Sequence, residues 1–213
     1  MYIILIGPQG SGKGTQGQLI KNNHHFHYIS TGVLLRRLSK IQNHDIAKIT
    51  QNGTLISDKI INSLVYNEII RFKKDNIIFD GYPRTLDQAN FLLDHLTTKT
   101  LKKDIVVVYL KLEDEEAIRR ISKRLTCSKC GFVVYPNIVA LWKLFKLCPN
   151  CHGKLAIRSD DNEKAVTKRL KLFHAETQPL VNYFKRKKIL HTIDGNNSVN
   201  NIYNEIEAII HDK

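Results

Sequence analysis

Tyr2-Ile-Ile-Leu-Ile6 is an unbroken apolar run that passes directly into Gly7-Pro-Gln-Gly-Ser-Gly-Lys13-Gly-Thr15-Gln16. A buried strand leading through a glycine-rich loop and a lysine into a helix limits the chain to an α/β architecture built on a parallel strand. Glycines at 7, 10, 12 and 14 let the backbone curl so that successive N–H groups point inward, and the helix adds the positive end of its dipole. That concavity suits a polyphosphate, with Lys13 as a mobile cation for the outer phosphates. The strict pattern places Ser or Thr directly after the lysine to meet magnesium, whereas here Gly14 intervenes and Thr15 follows. The rival reading, a glycine-rich turn that binds nothing, does not account for strand, loop, lysine and helix arriving in this order.

Beyond the loop, short apolar strands alternate with amphipathic helices, which predicts a parallel five-stranded sheet flanked by helices. The strands expected are 2–6, 27–29, 77–79, 105–110 and 190–193. Helices are expected over 14–21, 32–40, 59–73, 85–96, 113–123, 162–187 and 199–211, with Pro179 ending or bending the sixth. Two stretches fit the alternation poorly, 30–56 and 124–161, and read as insertions over the open edge of the sheet, where α/β ligands sit.

The chain of 213 residues carries 33 Lys and Arg against 20 Asp and Glu, a formal charge of +13. This charge suits nucleic acid, an anionic surface, or a nucleotide enzyme with arginine-lined clefts, and does not choose among them. No apolar stretch approaches the roughly 18 to 20 residues of a membrane span, so the expectation is a soluble, cytoplasmic protein without a membrane partner.

All four cysteines stand as Cys127-Ser-Lys-Cys130 and Cys148-Pro-Asn-Cys151, with residues 131–147 between the pairs. Two such knuckles are a tetrahedral zinc signature, and four thiolates leave no open position for chemistry, so the metal would staple a small domain. Two disulfides, a redox pair or inert cysteines are the alternatives, and an intracellular chain disfavours the disulfides. The histidines at 24, 25 and 27 resemble a metal cluster but straddle a helix-to-strand connection, which reads as a solvated loop.

A third segment, Ile77-Ile-Phe-Asp80-Gly81-Tyr82-Pro83-Arg84-Thr85-Leu86-Asp87-Gln88, brings a carboxylate and a guanidinium to one rim. Asp80 is placed to orient the waters of a phosphate-bound magnesium, and Arg84 reaches phosphate through its planar fork. Gln88 lies one helical turn beyond Arg84, and its amide both donates to and accepts from a purine edge. A turn with Thr85 capping a helix is the structural alternative, and the two readings are compatible.

Together these stretches resemble one family over nearly the whole chain: adenylate kinase, in its long-lid, zinc-bearing bacterial form. The carriers are residues 7–16, Ile29-Ser-Thr-Gly32 followed by Arg36, Asp80-Gly-Tyr-Pro-Arg-Thr85 with Gln88, the cysteine pairs, and Arg158-Ser-Asp-Asp161 followed by Lys168-Arg169-Leu170. The resemblance implies a P-loop NTPase fold with a core at 1–29, 57–123 and 162–213, an AMP-binding insertion at 30–56 and a zinc-binding lid at 124–161. It implies reversible transfer of the terminal phosphoryl group of ATP to AMP, with Mg2+ accompanying ATP and Zn2+ structural. On the ATP side it implicates Gly10, Ser11, Gly12, Lys13, Gly14, Thr15, Arg120 and Arg124, with Val133, Val134 and Asn197 meeting the base through backbone groups. On the AMP side Thr31 and Gln88 address adenine, Arg36 and Arg84 hold the phosphate, and Thr54, Leu55, Ile56, Gly81, Tyr82 and Pro83 line the pocket. Arg158 and Arg169 surround the group in flight and reach AMP, completing a catalytic set with Lys13, Arg84 and Arg124. Thr15 and Asp80 address magnesium through water. The protein is expected to be a monomer that binds no nucleic acid.

Three departures stand out against that pattern. Val33 replaces the usual Asp after Ser30-Thr31-Gly32, which implies weaker AMP binding or a repacked helix start. Val139-Ala-Leu-Trp142-Lys-Leu-Phe145 replaces the usual Asn-Pro-Pro turn and reads as lid core or a contact patch. Tyr135 falls one residue late relative to the second cysteine. The rivals are a UMP/CMP kinase, a GTP-using AMP kinase, and a basic zinc-ribbon nucleic-acid binder.

Overall fold

The computed structural model describes residues 1–41, 57–72, 75–97, 105–134, 147–158 and 161–212. Five parallel strands form the main sheet: β1 (Tyr2–Ile6), β2 (His27–Ser30), β3 (Ile77–Asp80), β4 (Ile105–Lys111) and β8 (Leu190–Asp194), in the order β2-β3-β1-β4-β8. Each is an expected strand, longer by a residue in every case but the first. The near-continuous apolar composition of β1, β3 and β4 follows from burial on both faces, whereas the edge strands β2 and β8 are more polar and only partly buried. Alternate side chains supply two cores: Tyr2, Ile4 and Ile6 of β1 join Ile105, Val107 and Tyr109 of β4 in one, while Ile3 and Leu5 join Val106, Val108 and Leu110 in the other.

Helices α1 (Lys13–His24), α2 (Thr31–Ile41), α3 (Asp58–Arg71), α4 (Leu86–Thr97) and α5 (Asp114–Ser122) follow the strands, and α6 (Glu163–Leu172), α7 (Gln178–Arg186) and α8 (Val199–His211) complete the core. Helix α1 runs past the expected Lys21 and ends where His25 turns left-handed at φ 56°. The expected single helix over 162–187 is instead α6, a π-helical turn at Phe173–Thr177, and α7. Pro179 has no N–H and its ring would strike the carbonyl one turn back, so the wider turn absorbs it without breaking the rod. That turn also touches an expected site residue, since Thr177 Oγ1 donates to the Arg84 carbonyl at 3.1 Å.

Residues 124–134 and 147–158 stand apart from the parallel sheet, as their poor fit to the alternation implies. They form a small antiparallel sheet, β6-β5-β7, from Leu125–Cys127 (β5), Val133–Val134 (β6) and Leu155–Ala156 (β7). Buried Cys127, Val134, Cys148 and Leu155 are nearly all its core. Among the described residues no helix is long and apolar enough to cross a membrane. Thr54, Leu55 and Ile56 lie outside the described residues, as does the run from Val139 to Phe145.

Candidate active site

Strand β1 sits where the strand order reverses, between β3 and β4, and the loop that leaves it opens at this switch point. Gly12, the cap of α1, holds φ 97°, a left-handed conformation that a side chain would strain. Ser11 is buried beneath it. The ammonium of Lys13 turns back into the loop, donating to the carbonyls of Gly7 and Pro8 at 2.8 Å each and to Ser11 Oγ at 3.4 Å. Loss of water lowers its pKa to about 8, with Asp80 opposing and Arg84 and Arg124 adding to the shift. Lys13 therefore feels three of the other expected site residues. Thr15 Oγ1 is buried without a hydrogen-bond partner among the described residues. An orphaned hydroxyl at the first turn of this helix fits a metal-bound water.

Register brings the third segment alongside, because Asp80 ends β3 opposite both Leu5 of β1 and Ser30 of β2. Gly81 adopts φ 74°, and its carbonyl accepts from Thr31 Oγ1 at 2.8 Å and Arg84 Nε at 3.0 Å. A Cβ at Gly81 would lie 2.9 Å from Thr31 Oγ1, so only glycine lets these two expected AMP contacts share one acceptor. Surrounding protein lowers the Arg84 pKa, Asp80 works against the shift and Arg169 adds to it. Gln88 is buried, its Oε1 accepting from the Arg84 N–H at 2.8 Å and its Nε2 donating to Asp58 Oδ1 at 2.7 Å. The amide expected to read a purine edge thus also braces the Arg84 loop. Tyr82 is wholly buried with its hydroxyl on Asn62 Oδ1 at 2.7 Å, so its ring acts as a strut, and Pro83 follows it through a cis peptide bond. Arg36 folds back beside Gly32, where a Cβ would lie 3.2 Å from its Nη1. No acidic residue occupies the first turn of α2, which is where Val33 stands.

The far wall is cationic. Arg124, at the edge of the small sheet, makes a buried fork with Asp161 at 2.9 and 2.5 Å. The Gln9 amide, with its oxygen toward the guanidinium groups, accepts from Arg124 Nη2 at 3.1 Å and Arg169 Nη1 at 2.9 Å. A residue of the phosphate loop thereby ties together two arginines 45 positions apart in the chain (169 minus 124). The Arg158 carbonyl accepts from the Asp161 N–H at 3.1 Å. Arg120 donates to Glu116 Oε1 at 2.6 Å and to the Gly195 carbonyl at 2.8 Å. This sets it beside the turn carrying Asn197, whose N–H bonds the Asp194 carbonyl at 3.2 Å. Val133 and Val134 pair with Thr126 and Leu125, and the Val134 side chain packs among the cysteines.

The four Sγ atoms all lie within 4.8 Å of one another, so the four cysteines could hold a metal ion. Cys127 to Cys151 is 3.5 Å and Cys130 to Cys148 is 3.6 Å. A tetrahedral ion with metal–sulfur bonds of about 2.3 Å has edges of about 3.8 Å, whereas a disulfide needs about 2.05 Å. Burial pushes the Cys148 thiol up, yet at Cys127 the N–H groups of Cys130 and Lys129 aimed at its sulfur outweigh burial and bring it down to about 6. Such donors favour the thiolate that a metal requires.

Gln9, Asp58 and Glu116 escaped the sequence reading as site residues, and Asp161 was quoted there without a role. Their partners lie from 4 to 160 positions away (120 minus 116, 169 minus 9), and only the fold pairs most of them. Asp161 gave no separate signal, because the burial of Arg124 that calls for a carboxylate is visible only in the fold.

Comparison with known proteins points to one family. The profile of the family described as adenylate kinase matches residues 5–189. An adenylate kinase of Petrotoga mobilis is 39% identical over 214 residues, covering 99% of this chain and 97% of that protein. One of Rickettsia bellii is 35% identical over 215 residues, covering 99% of each chain. One of Archaeoglobus fulgidus is 34% identical over 215 residues, covering 99% and 98%.

Proposed function

The chain belongs to the adenylate kinase family of nucleotide phosphoryl-transfer enzymes, and from that premise we propose that it passes the terminal phosphoryl group of ATP to AMP, reversibly, giving two ADP. The observation that carries this reading is the convergence of Lys13, Arg84, Arg124, Arg169 and Asp80 into one electrostatically coupled group around the phosphate loop.

Phosphoryl transfer between two anions requires little covalent chemistry, only in-line positioning, neutralised charge and exclusion of water. The backbone from Gly10 to Thr15, with Ser11 beneath, cradles the ATP phosphates. Lys13 leaves the carbonyls of Gly7 and Pro8 to follow the transferred group. Arg36 and Arg84 hold the AMP phosphate, Thr31 and Gln88 face its adenine, and Thr54 to Ile56 with Gly81 to Pro83 complete that pocket. Arg120, Val133, Val134 and Asn197 border the donor base, the last three through backbone. Arg124, Arg158 and Arg169 close on the moving group. Mg2+, which adenylate kinases use with ATP, supplies charge neutralisation between the phosphates, and Thr15 and Asp80 would hold it through water.

Stretches 30–56 and 124–161 act as hinged covers on the core at 1–29, 57–123 and 162–213, since an open site would spend ATP on water. Cys127, Cys130, Cys148 and Cys151 hold a structural zinc, because about forty residues cannot bury enough core alone. The protein works as a cytoplasmic monomer without nucleic acid or membrane.

A coupled assay of ADP formation tests the assignment. ATP with AMP should be preferred over ATP with CMP or UMP, and over GTP with AMP. Preference for a pyrimidine monophosphate, or binding to nucleic acid that falls steeply with salt while no transfer occurs, would overturn it.

A further inference from the structure

We infer that Tyr28 is a positioning residue that fixes the Asp80 carboxylate for the metal waters and so sets how tightly the nucleotide-bound site holds its divalent cation. This rests on the phosphotransfer reading above. Tyr28 lies on β2 opposite Ile78, and Asp80 follows two residues later on the same face of β3. Both side chains therefore project toward the face packed by α1. The Tyr28 hydroxyl donates a hydrogen bond to Oδ2 of the Asp80 carboxylate.

The ring has a space made for it. A Cβ at Gly17 of α1 would fall 2.3 Å from Tyr28 Cε2, so only glycine admits the ring at this depth. A Cβ at Gly14 would lie 3.6 Å from the Tyr28 hydroxyl and 3.8 Å from Asp80 Oδ2, which puts the pair directly under the first turn of α1, beside Thr15. Burial, then the neighbouring Asp80, holds the phenol pKa well above its ordinary value, so the hydroxyl keeps its proton and remains a donor.

The carboxylate has competitors. Lys13 and Arg84 both attract Asp80. A carboxylate free to rotate toward either cation would trade water-mediated contact with the metal for an ion pair. The Tyr28 donor removes that freedom at one oxygen and leaves the other to accept from the metal's water. A ring without the hydroxyl keeps the packing and loses the tether to Asp80 together with the hydroxyl's hydrogen bond with Ser30.

The test uses the full chain with Tyr28→Phe. Mn2+ is titrated into the enzyme–ATP complex and followed by electron paramagnetic resonance, and the Mg2+ concentration giving half-maximal phosphoryl transfer is measured alongside. Both constants should rise about tenfold, the low end of the range for removing a hydrogen bond to a charged group that supports a metal site, because Asp80 itself meets the metal only through water. KM for AMP and ATP affinity in EDTA should stay unchanged. In an Asp80→Asn background the Tyr28→Phe substitution should add nothing. Unmoved metal constants, or an equal loss with EDTA present, would overturn the inference. A wild-type chain that binds no ATP would instead sink the phosphotransfer reading itself.

Discussion

Lys13→Met should lower turnover by about two to three powers of ten while the melting temperature barely moves, because the substitution removes a cation aimed at charge that develops only during transfer. The ammonium lies in the loop on the carbonyls of Gly7 and Pro8 and on Ser11, with Asp80, Arg84 and Arg124 close enough to shift it. Methionine keeps the length and apolar stem and deletes the charge. Stability should survive for a reason of sign. The folded pKa of about 8 lies below the unfolded value of about 10.4, so the charged form is disfavoured by folding. The charge opposes folding fully below pH 8, and that opposition fades as pH rises from about 8 through the unfolded value. The same titration gives a kinetic signature. In the wild type, kcat/KM for ATP should fall as pH rises through about 8, the free-enzyme value, while kcat holds to higher pH because bound phosphates retain the proton. The Lys13→Met variant should lack that limb. Turnover within a few fold of wild type would refute the role.

Cys148→Ser should release the metal and unfold the small sheet while leaving the five-stranded core intact. Cys148 is fully buried, 3.6 Å from Cys130, in a core made chiefly of Cys127, Val134, Leu155 and partly buried Leu125, Phe132 and Cys151. So few side chains cannot offset the entropy of ordering this segment, whereas structural zinc contributes on the order of 10 kcal/mol in small peptides. Elemental analysis should find one zinc per wild-type chain and none in the variant. Hydrogen exchange separates the two regions. The N–H groups of Cys127, Gly131, Cys148 and His152, bonded within the knuckles at 2.8 to 3.0 Å, should exchange almost as fast as in an unfolded chain. Those of β1 and β4 should remain protected. Activity should collapse as well, because Arg124 and Arg158 flank the segment. Metal-free wild-type protein, or retained knuckle protection in the variant, would contradict the zinc assignment.

The parallel sheet was legible because its central strands β1, β3 and β4 are apolar on both faces, as Ile3, Ile4 and Leu5 show by entering opposite cores. Strands β5, β6 and β7 were not, since two or three residues give no period and their pairing depends on how the cysteines converge. The π-helical turn was half legible: Pro179 demanded an interruption, but a widened turn that lets Thr177 bond the Arg84 carbonyl, 93 positions away, is visible only in the fold. The phosphate loop and the Asp80 segment could be read because local chemistry dictates them. Their supports could not, because Tyr28 meets Asp80, and Gln88 meets Asp58, only across 52 and 30 positions of chain.

The most direct measurement is the product balance of the wild-type chain given Mg2+ and ATP, with and without AMP, followed by phosphorus NMR. With AMP, two ADP should appear for each ATP consumed, with no inorganic phosphate, and without AMP the ATP should persist. Accumulating inorganic phosphate with AMP untouched would mean that water, not a second nucleotide, receives the group, and the account of a closing two-nucleotide site would be wrong.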